Sequence, residues 1–178
     1  MNSVFGDIRQ IAYVSDDLAR SLAYFTGTLG IGPWFVKSDF RIPDCRVRGL
    51  ETEVVVDAAL ASAGTLQLEI IVQKSPAPTL YSEFLAQFGA THLPHSWCAW
   101  PEDFDAVLRA AKARGFRPVL EARPGLGRIA YLEHPAQPHF AYELAEYTPE
   151  RRSIFAQIRA AAEAWDGSDP IRDAWPAP

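Results

Sequence analysis

Cysteine is scarce in this 178-residue chain: Cys45 and Cys98 are the only two, far apart and outside any CxxC pair. That spacing offers neither a disulfide framework nor a zinc clip, and both read as free thiols of a reducing compartment. Basic charge is short as well. Lys and Arg number 17 against 22 Asp and Glu, a formal charge of −5, which leaves no electrostatic footprint for nucleic acid. No apolar run comes near the ~20 residues that a bilayer span needs. Met1 to Gly6 lacks the basic and apolar regions of a signal peptide. The turn at Arg123 to Gly127 lacks the spacing of a phosphate loop. These absences exclude nucleic acid and membrane as partners and make a cytoplasmic location the expectation.

Apolar and aromatic residues are what the chain has in quantity. Hydrophobic residues reach 48%, with five Trp, ten Phe and six Tyr, so a sizeable core is available and some rings can line a pocket for an apolar or aromatic ligand. The length suits one domain or two closely packed halves.

The pattern along the chain repeats. Ile8 to Val14 reads as a strand, Ser15, Asp16 and Asp17 as a helix cap, and Leu18, Leu22 and Phe25 as one apolar helix face ended by Gly27, Gly30 and Gly32. Trp34 to Val36, Arg46 to Val56 and Leu66 to Val72 read as three further strands, with Asp57 to Gly64 as a connection of small residues. A linker around Pro76 and Pro78 and a short helix, Leu80 to Phe88, follow. The order then recurs: a strand from His95 to Trp100, a cap at Pro101 to Asp103, a helix with Phe104, Val107, Leu108 and Ala111 inward, a glycine stop at Gly115, and strands at Arg117 to Ala122, Gly127 to Glu133 and His139 to Glu146. The fold class expected is α+β, two βαβββ modules forming a half-open mixed β-barrel. The domain spans residues 1–148, with modules near 5–75 and 90–147. Residues 149–178 add an amphipathic helix, with Ile154, Phe155, Ile158, Ala161, Ala162 and Trp165 on its apolar face, and an extended tail. That helix should pack on the barrel or on a second subunit, and a homodimer is expected.

Two strands look alike, Gln67-Leu-Glu-Ile70 and Ala141-Tyr-Glu-Leu144. Strand alternation turns Leu68, Ile70, Tyr142 and Leu144 to a helix layer and leaves Glu69 and Glu143 facing the cup. A carboxylate buried there needs a cation, a hydrogen-bond partner or a proton. A divalent metal would satisfy both together, and Gln10 and His95 on the first strands of the two halves are matching donors. The candidate metal set is therefore Gln10, Glu69, His95 and Glu143, an N/O set that does not choose among Zn, Ni, Co, Mn and Fe. Register leaves two readings of the third position. Aligning the second helix on Glu102 selects His95; aligning it on Asp103 selects Ser96, a poor ligand. His92 is a fallback. Cys98 reads as a buried apolar residue, Trp34, Trp97 and Trp100 as core, His134 and His139 as loop residues, and Arg128 as either a contact for an anionic group or a solvated arginine.

At these residues the sequence resembles the glyoxalase/bleomycin resistance/dioxygenase, or vicinal-oxygen-chelate, superfamily. The stretches that carry the resemblance are Gln10-Ile-Ala-Tyr-Val-Ser-Asp-Asp, Gly30-Ile-Gly-Pro-Trp34, Leu66-Gln-Leu-Glu-Ile, His95 to Asp103 and Tyr142-Glu-Leu-Ala-Glu146; a glyoxalase-like subgroup also carries a segment like Trp165 to Pro170. The resemblance implies ligands from the first and last strands of each half, which Gln10, Glu69, His95 and Glu143 match by position. It implies a metal-dependent lyase or isomerase acting on a small molecule. Proton transfer would occur beside a metal-bound carbonyl or enolate oxygen, with Glu143 or Glu69 as the catalytic carboxylate and Glu143 favoured as base. The alternatives are a metal-free protein that binds or converts a hydrophobic or aromatic small molecule, and a ring-cleaving dioxygenase. The last needs two histidines and a carboxylate on iron, against which Gln10 counts.

Overall fold

The computed structural model describes residues 3–89 and 92–178, so the first two residues of the N-terminal segment lie outside it. Fifteen elements follow one another. The first half contains β1 (Ile8–Val14), α1 (Leu18–Gly27), β2 (Trp34–Arg41), β3 (Arg46–Val47), β4 (Leu50–Glu51), β5 (Val55–Ala63) and β6 (Leu66–Gln73). After α2 (Leu80–Phe88) come β7 (Pro94–Ala99), α3 (Phe104–Lys112), β8 (Arg117–Ala122), β9 (Ile129–His134), β10 (Gln137–Ala145), α4 (Pro149–Glu163) and β11 (Ile171–Arg172).

All described strands join one sheet, in the order β11-β2-β5-β6-β1-β7-β10-β9-β8-β3-β4. Its centre is a seam at which β1 and β7 run antiparallel. On either side the pairing is parallel, β1 with β6 and β7 with β10, so the two halves mirror each other across the seam. The short strand β3 leaves the first half and pairs with β8 of the second, Arg46 beside Glu121.

Both faces of the sheet are covered, which is why its strands are apolar on both sides. On the outer face α1 packs Leu22 and Phe25 against Leu68, Ile70 and Trp34. The same layer in the second half sets Phe104 and Ala111 of α3 against Leu132 and Leu144. The caps are equivalent: Asp17 accepts from Arg20 N at 3.0 Å and Asp103 from Ala106 N at 2.9 Å. On the inner face α2 plugs one end of the curl with Leu80, Tyr81 and Phe84, beside Val14, Ile71, Leu120 and Tyr131. The apolar side of α4, Ile154, Phe155 and Ile158, seats on Phe35 and Leu60 of the chain's own sheet.

Two strand expectations divide differently. Arg46 to Val56 is a small hairpin, β3 with β4, and a loop rather than one strand, because Arg48 and Gly49 adopt positive φ and turn the chain. Asp57 to Ala63, read as a connection, is most of β5. Alanine is a weak strand former in isolation. Here Ala59 and Ala61 sit under the α1 layer and Leu60 under α4, so small side chains suit a strand held between two close layers.

The Gly-Ile-Gly-Pro-Trp and Trp-Asp-Gly-Ser-Asp-Pro segments meet in space. Trp34 N donates to the Pro170 carbonyl at 2.8 Å, and Ile171 pairs with Trp34 as β11 joins β2. The Trp165 ring lies on Gly32, where an added Cβ would stand 2.8 Å from its Cη2. This clamp carries the C-terminal tail back across the concave face. A methyl at that point displaces the ring, so Gly32→Ala should lower stability by about 1–3 kcal/mol in urea unfolding; an unchanged midpoint would mean that the indole does not need the space.

Candidate active site

Register brings the polar residues of four strands to one place. Gln10 pairs with Gln67 and Ala12 with Glu69; Ser96 pairs with Ala141 and Cys98 with Glu143. Across the seam Gln10 lies beside Cys98 and Ala12 beside Ser96. Paired residues present their side chains to the same face, so these residues share the concave side. There a cavity of about 750 Å³ opens between the sheet, α2, α4 and the tail. Its polar lining includes Gln10, Glu69, Tyr81, Tyr131, Glu143 and Arg151; Phe40, Ile71, Phe155 and Trp175 are among its apolar walls.

Gln10 Nε2 donates to Glu69 Oε2 at 2.7 Å. Glu143 is 5% exposed, and its Oε2 is buried without a hydrogen-bond partner. Burial therefore dominates the electrostatics. It pushes the Glu69 carboxyl up to about 8, with help from the Glu143 charge and against the Arg151 guanidinium and the Gln10 hydrogen bond. Glu69 is partly buried and borders the space in the cavity. Burial also raises Glu143, and the Arg151 charge, the Tyr131 hydroxyl and the Cys98 thiol act to bring it back down. The Cys98 thiol and the Tyr81 and Tyr131 phenols are pushed well above their ordinary values, first by burial, so all three stay protonated.

The structure places His95 apart from the other three residues of the expected set. Asp103, not Glu102, caps α3 as Asp17 caps α1. Gln10 lies seven residues before Asp17 and Ser96 seven before Asp103, so Ser96 is the counterpart of Gln10. His95 falls at the break in register between β1 and β7 and is not among the residues lining the cavity. Its ring packs under α2 against Phe84, Tyr81 and Tyr131, with centroids 5.1, 5.6 and 6.2 Å away. Burial lowers its pKa to about 3, opposed by a hydrogen bond with the Leu80 backbone, so the imidazole is neutral at physiological pH. The fallback, His92, stacks on Tyr24 of α1 at 4.3 Å.

A divalent ion at the expected position would fall to Gln10, Glu69, Ser96 and Glu143, and this set does not fit one. The nitrogen donor is replaced by a serine hydroxyl, which has no partner of its own. Gln10 is committed to Glu69. A buried guanidinium, Arg151, already lines the same cavity. Among the described residues no group of three or more His, Cys, Asp or Glu is placed to hold a metal.

Other sequence candidates lie elsewhere. Arg128 is bound on the outside by Asp105 at 2.8 Å and Glu146 at 2.9 Å. His134 and His139 line a separate surface cleft. Trp34 is core and Trp100 stacks near Phe155, but Trp97, expected in the core, points outward and is 40% exposed. What the sequence reading missed is Arg151. It precedes Ile154, Phe155 and Ile158 at helical spacing, so an arginine on the apolar face of α4 was the available signal.

Comparison with known proteins agrees with this fold. Residues 9–131 match the family described as the Glyoxalase/Bleomycin resistance protein/Dioxygenase superfamily. Methylmalonyl-CoA epimerase from Mycobacterium tuberculosis shares the fold at 16% identity and a TM-score of 0.58, over 84% of this chain and 93% of that one. A hypothetical protein from Bacillus halodurans C-125 does so at 14% identity and a TM-score of 0.57, over 81% and 96% of the two chains. A variant of 4-hydroxymandelate synthase from Streptomyces coelicolor is similar at 14% identity and a TM-score of 0.53, over 79% of this chain and 38% of that longer one. No curated protein matches the sequence.

Two outcomes follow from the site. Folding raises the Glu69 pKa from 4.5 to about 8, so between those values the folded protein keeps a proton that the unfolded chain loses. Stability should fall as pH rises through that window and level off above it. In Glu69→Gln thermal unfolding across about pH 5 to 9 should show a shallower decline than wild type; an equally steep one would remove Glu69 as its source. Chelator treatment should leave Tm unchanged, and elemental analysis should find well below about one divalent ion per chain; a stoichiometric ion whose removal lowers Tm would restore the metal.

Proposed function

The chain belongs to the glyoxalase/bleomycin resistance protein/dioxygenase superfamily, and from that premise we propose that it is a proton-transferring isomerase of small apolar molecules, with Glu143 as base and Glu69 as acid. The observation that carries this reading is the pair of carboxyl groups in one cavity, Glu143 buried and Glu69 partly buried, the latter shifted to about 8 in part by the charge of the other. Carboxyl groups pushed apart in this way divide into a proton acceptor and a proton donor at neutral pH.

In the reaction Glu143 takes a proton from a substrate carbon made acidic by an adjacent carbonyl, and the C–H electron pair moves toward that oxygen. Glu69 delivers its proton to a carbon of the same intermediate, from another direction or at another position. Substrate and product are isomers, so no oxidant or co-reactant is consumed. The two carboxyl groups exchange roles, and proton exchange between them or with water restores the starting state. Gln10 orients Glu69 through its 2.7 Å hydrogen bond. Tyr131 and Tyr81 hold their protons too tightly to act as acids and serve as fixed dipoles beside Glu143. The expected metal-dependent lyase or isomerase thus keeps its proton chemistry, while the donor set does not support its metal. A dioxygenase reading lacks its two histidines, because no described histidine lines the cavity.

The test is solvent exchange. Incubated in deuterium oxide with a panel of apolar carbonyl compounds, the protein should label at least one next to its carbonyl, read by NMR. Glu143→Gln and Glu69→Gln should each slow labelling by about 10²–10⁴-fold. Labelling by Glu143→Gln at the wild-type rate would remove it from the mechanism.

A further inference from the structure

We infer that Arg151 is the anion-binding residue of this cavity, and that the ligand it serves is an apolar, ring-bearing carboxylic acid whose carboxylate lies against the guanidinium. The inference deepens the isomerase reading and rests on it for the chemistry that follows binding, not for binding itself.

Arg151 is 5% exposed and lines the cavity. The hydrogen bond made by its side chain runs from Nε to the Leu126 carbonyl at 3.3 Å. Both terminal nitrogens of the fork remain for something else. The arginines held in ion pairs among the described residues are others, such as Arg128 with Asp105 and Arg152 with Glu102. A buried charge without an ion-pair partner is costly and calls for a counter-charge. Its place in the helix sharpens the need. Arg151 N donates to Thr148 Oγ1, the N-cap of the 15-residue α4, so the guanidinium adds its charge to the positive end of a helix. The Glu143 charge offsets part of it within the cavity but makes no ion pair with it, so the fork itself is left to an anion that can reach it.

The chemistry of the anion follows from the fork and the walls. A planar guanidinium pairs bidentately with a carboxylate. Around it Phe155, Ile154, Leu126, Phe40 and Trp175 offer apolar and aromatic surface, with the Phe155 ring centroid 5.9 Å from the guanidinium carbon. The second cation of the lining, Lys37, is spent on rings, its Nζ 3.9 Å from Phe40 and 5.2 Å from Trp175. A cavity of about 750 Å³ holds a ring-bearing acid with room to spare. Burial keeps Glu69 protonated at neutral pH, which removes one charge that would repel the ligand. Once seated, an acid with hydrogen on its α-carbon meets both halves of the machinery. Glu143 removes the α-proton, and the electron pair of the broken C–H bond delocalises onto the carboxylate oxygens that face Arg151.

Benzoate, benzamide and phenyl phosphate test the inference, because benzoate lacks an α-hydrogen and reports binding alone. Titrated by calorimetry into the full chain at neutral pH, benzoate should bind more tightly than benzamide. Arg151→Gln should weaken benzoate about tenfold or more while leaving benzamide as in wild type, which also shows that the cavity is intact. Arg151→Lys, with the charge but not the fork, should fall between. Glu143→Gln should bind benzoate at least as tightly as wild type whether or not it has lost exchange activity, so a failure of the isomerase reading shows up separately. Equal affinity for benzoate and benzamide, or benzoate binding unchanged in Arg151→Gln, overturns the inference. Preference for phenyl phosphate over benzoate overturns the carboxylate.

Discussion

The antiparallel seam between β1 and β7 is the contact on which the site depends. It is where the two halves of the chain become one sheet, and it sets Gln10 against Cys98 and Ala12 against Ser96. The parallel neighbours β6 and β10 extend that register outward and bring in Glu69 and Glu143. Because strand side chains alternate, a slip of one residue along the seam would turn a whole strand's inner residues to the helix layers. The apolar faces of α1 and α3 forbid such a slip, since Leu68 and Ile70 on one side and Leu132 and Leu144 on the other are already committed to them.

That register concentrates ionisable groups on the concave side of the sheet. Glu69, Glu143, Arg151, Tyr81 and Tyr131 share a space walled in part by Phe40, Ile71, Phe155 and Trp175. Each would lose solvation there without full compensation from its neighbours, and the structure answers in different ways. Glu69 takes a proton and a glutamine amide. Glu143 leans on the Arg151 charge. Arg151 itself has a single carbonyl. Unsatisfied groups of this kind weaken the folded state, and a ligand that completes them would recover stability on binding. The C-terminal segments contribute in the same direction. By seating α4 on β5 and clamping Trp165 on Gly32, the chain after Pro149 supplies both the resident cation and one wall of the cavity.

Much of this arrangement is legible in the sequence. The repeat of strand, cap, helix and strands fixes the topology, because each cap residue and glycine stop acts locally. The matched Gln-Leu-Glu-Ile and Tyr-Glu-Leu segments place two carboxylates inward through alternation alone, and the structure sets both on the cavity. Asp57 to Ala63 was not legible as a strand, since its alanines are explained by the two layers that press on it rather than by their own preference. Nor was the choice between His95 and Ser96. A single residue of register separates them, and the local pattern around Pro101 to Asp103 accommodates either cap.

The sequence by itself determined the class of the fold, the inward direction of Glu69 and Glu143 and the apolar face of α4, because periodicity and capping depend on neighbours within a turn or two. Tertiary structure alone decided which residue joins them at the centre and where Arg151 ends. Those depend on how distant strands pair and on what a helix finds when it closes over the sheet, and no short-range pattern encodes the solvation of a group whose surroundings come from many separate elements.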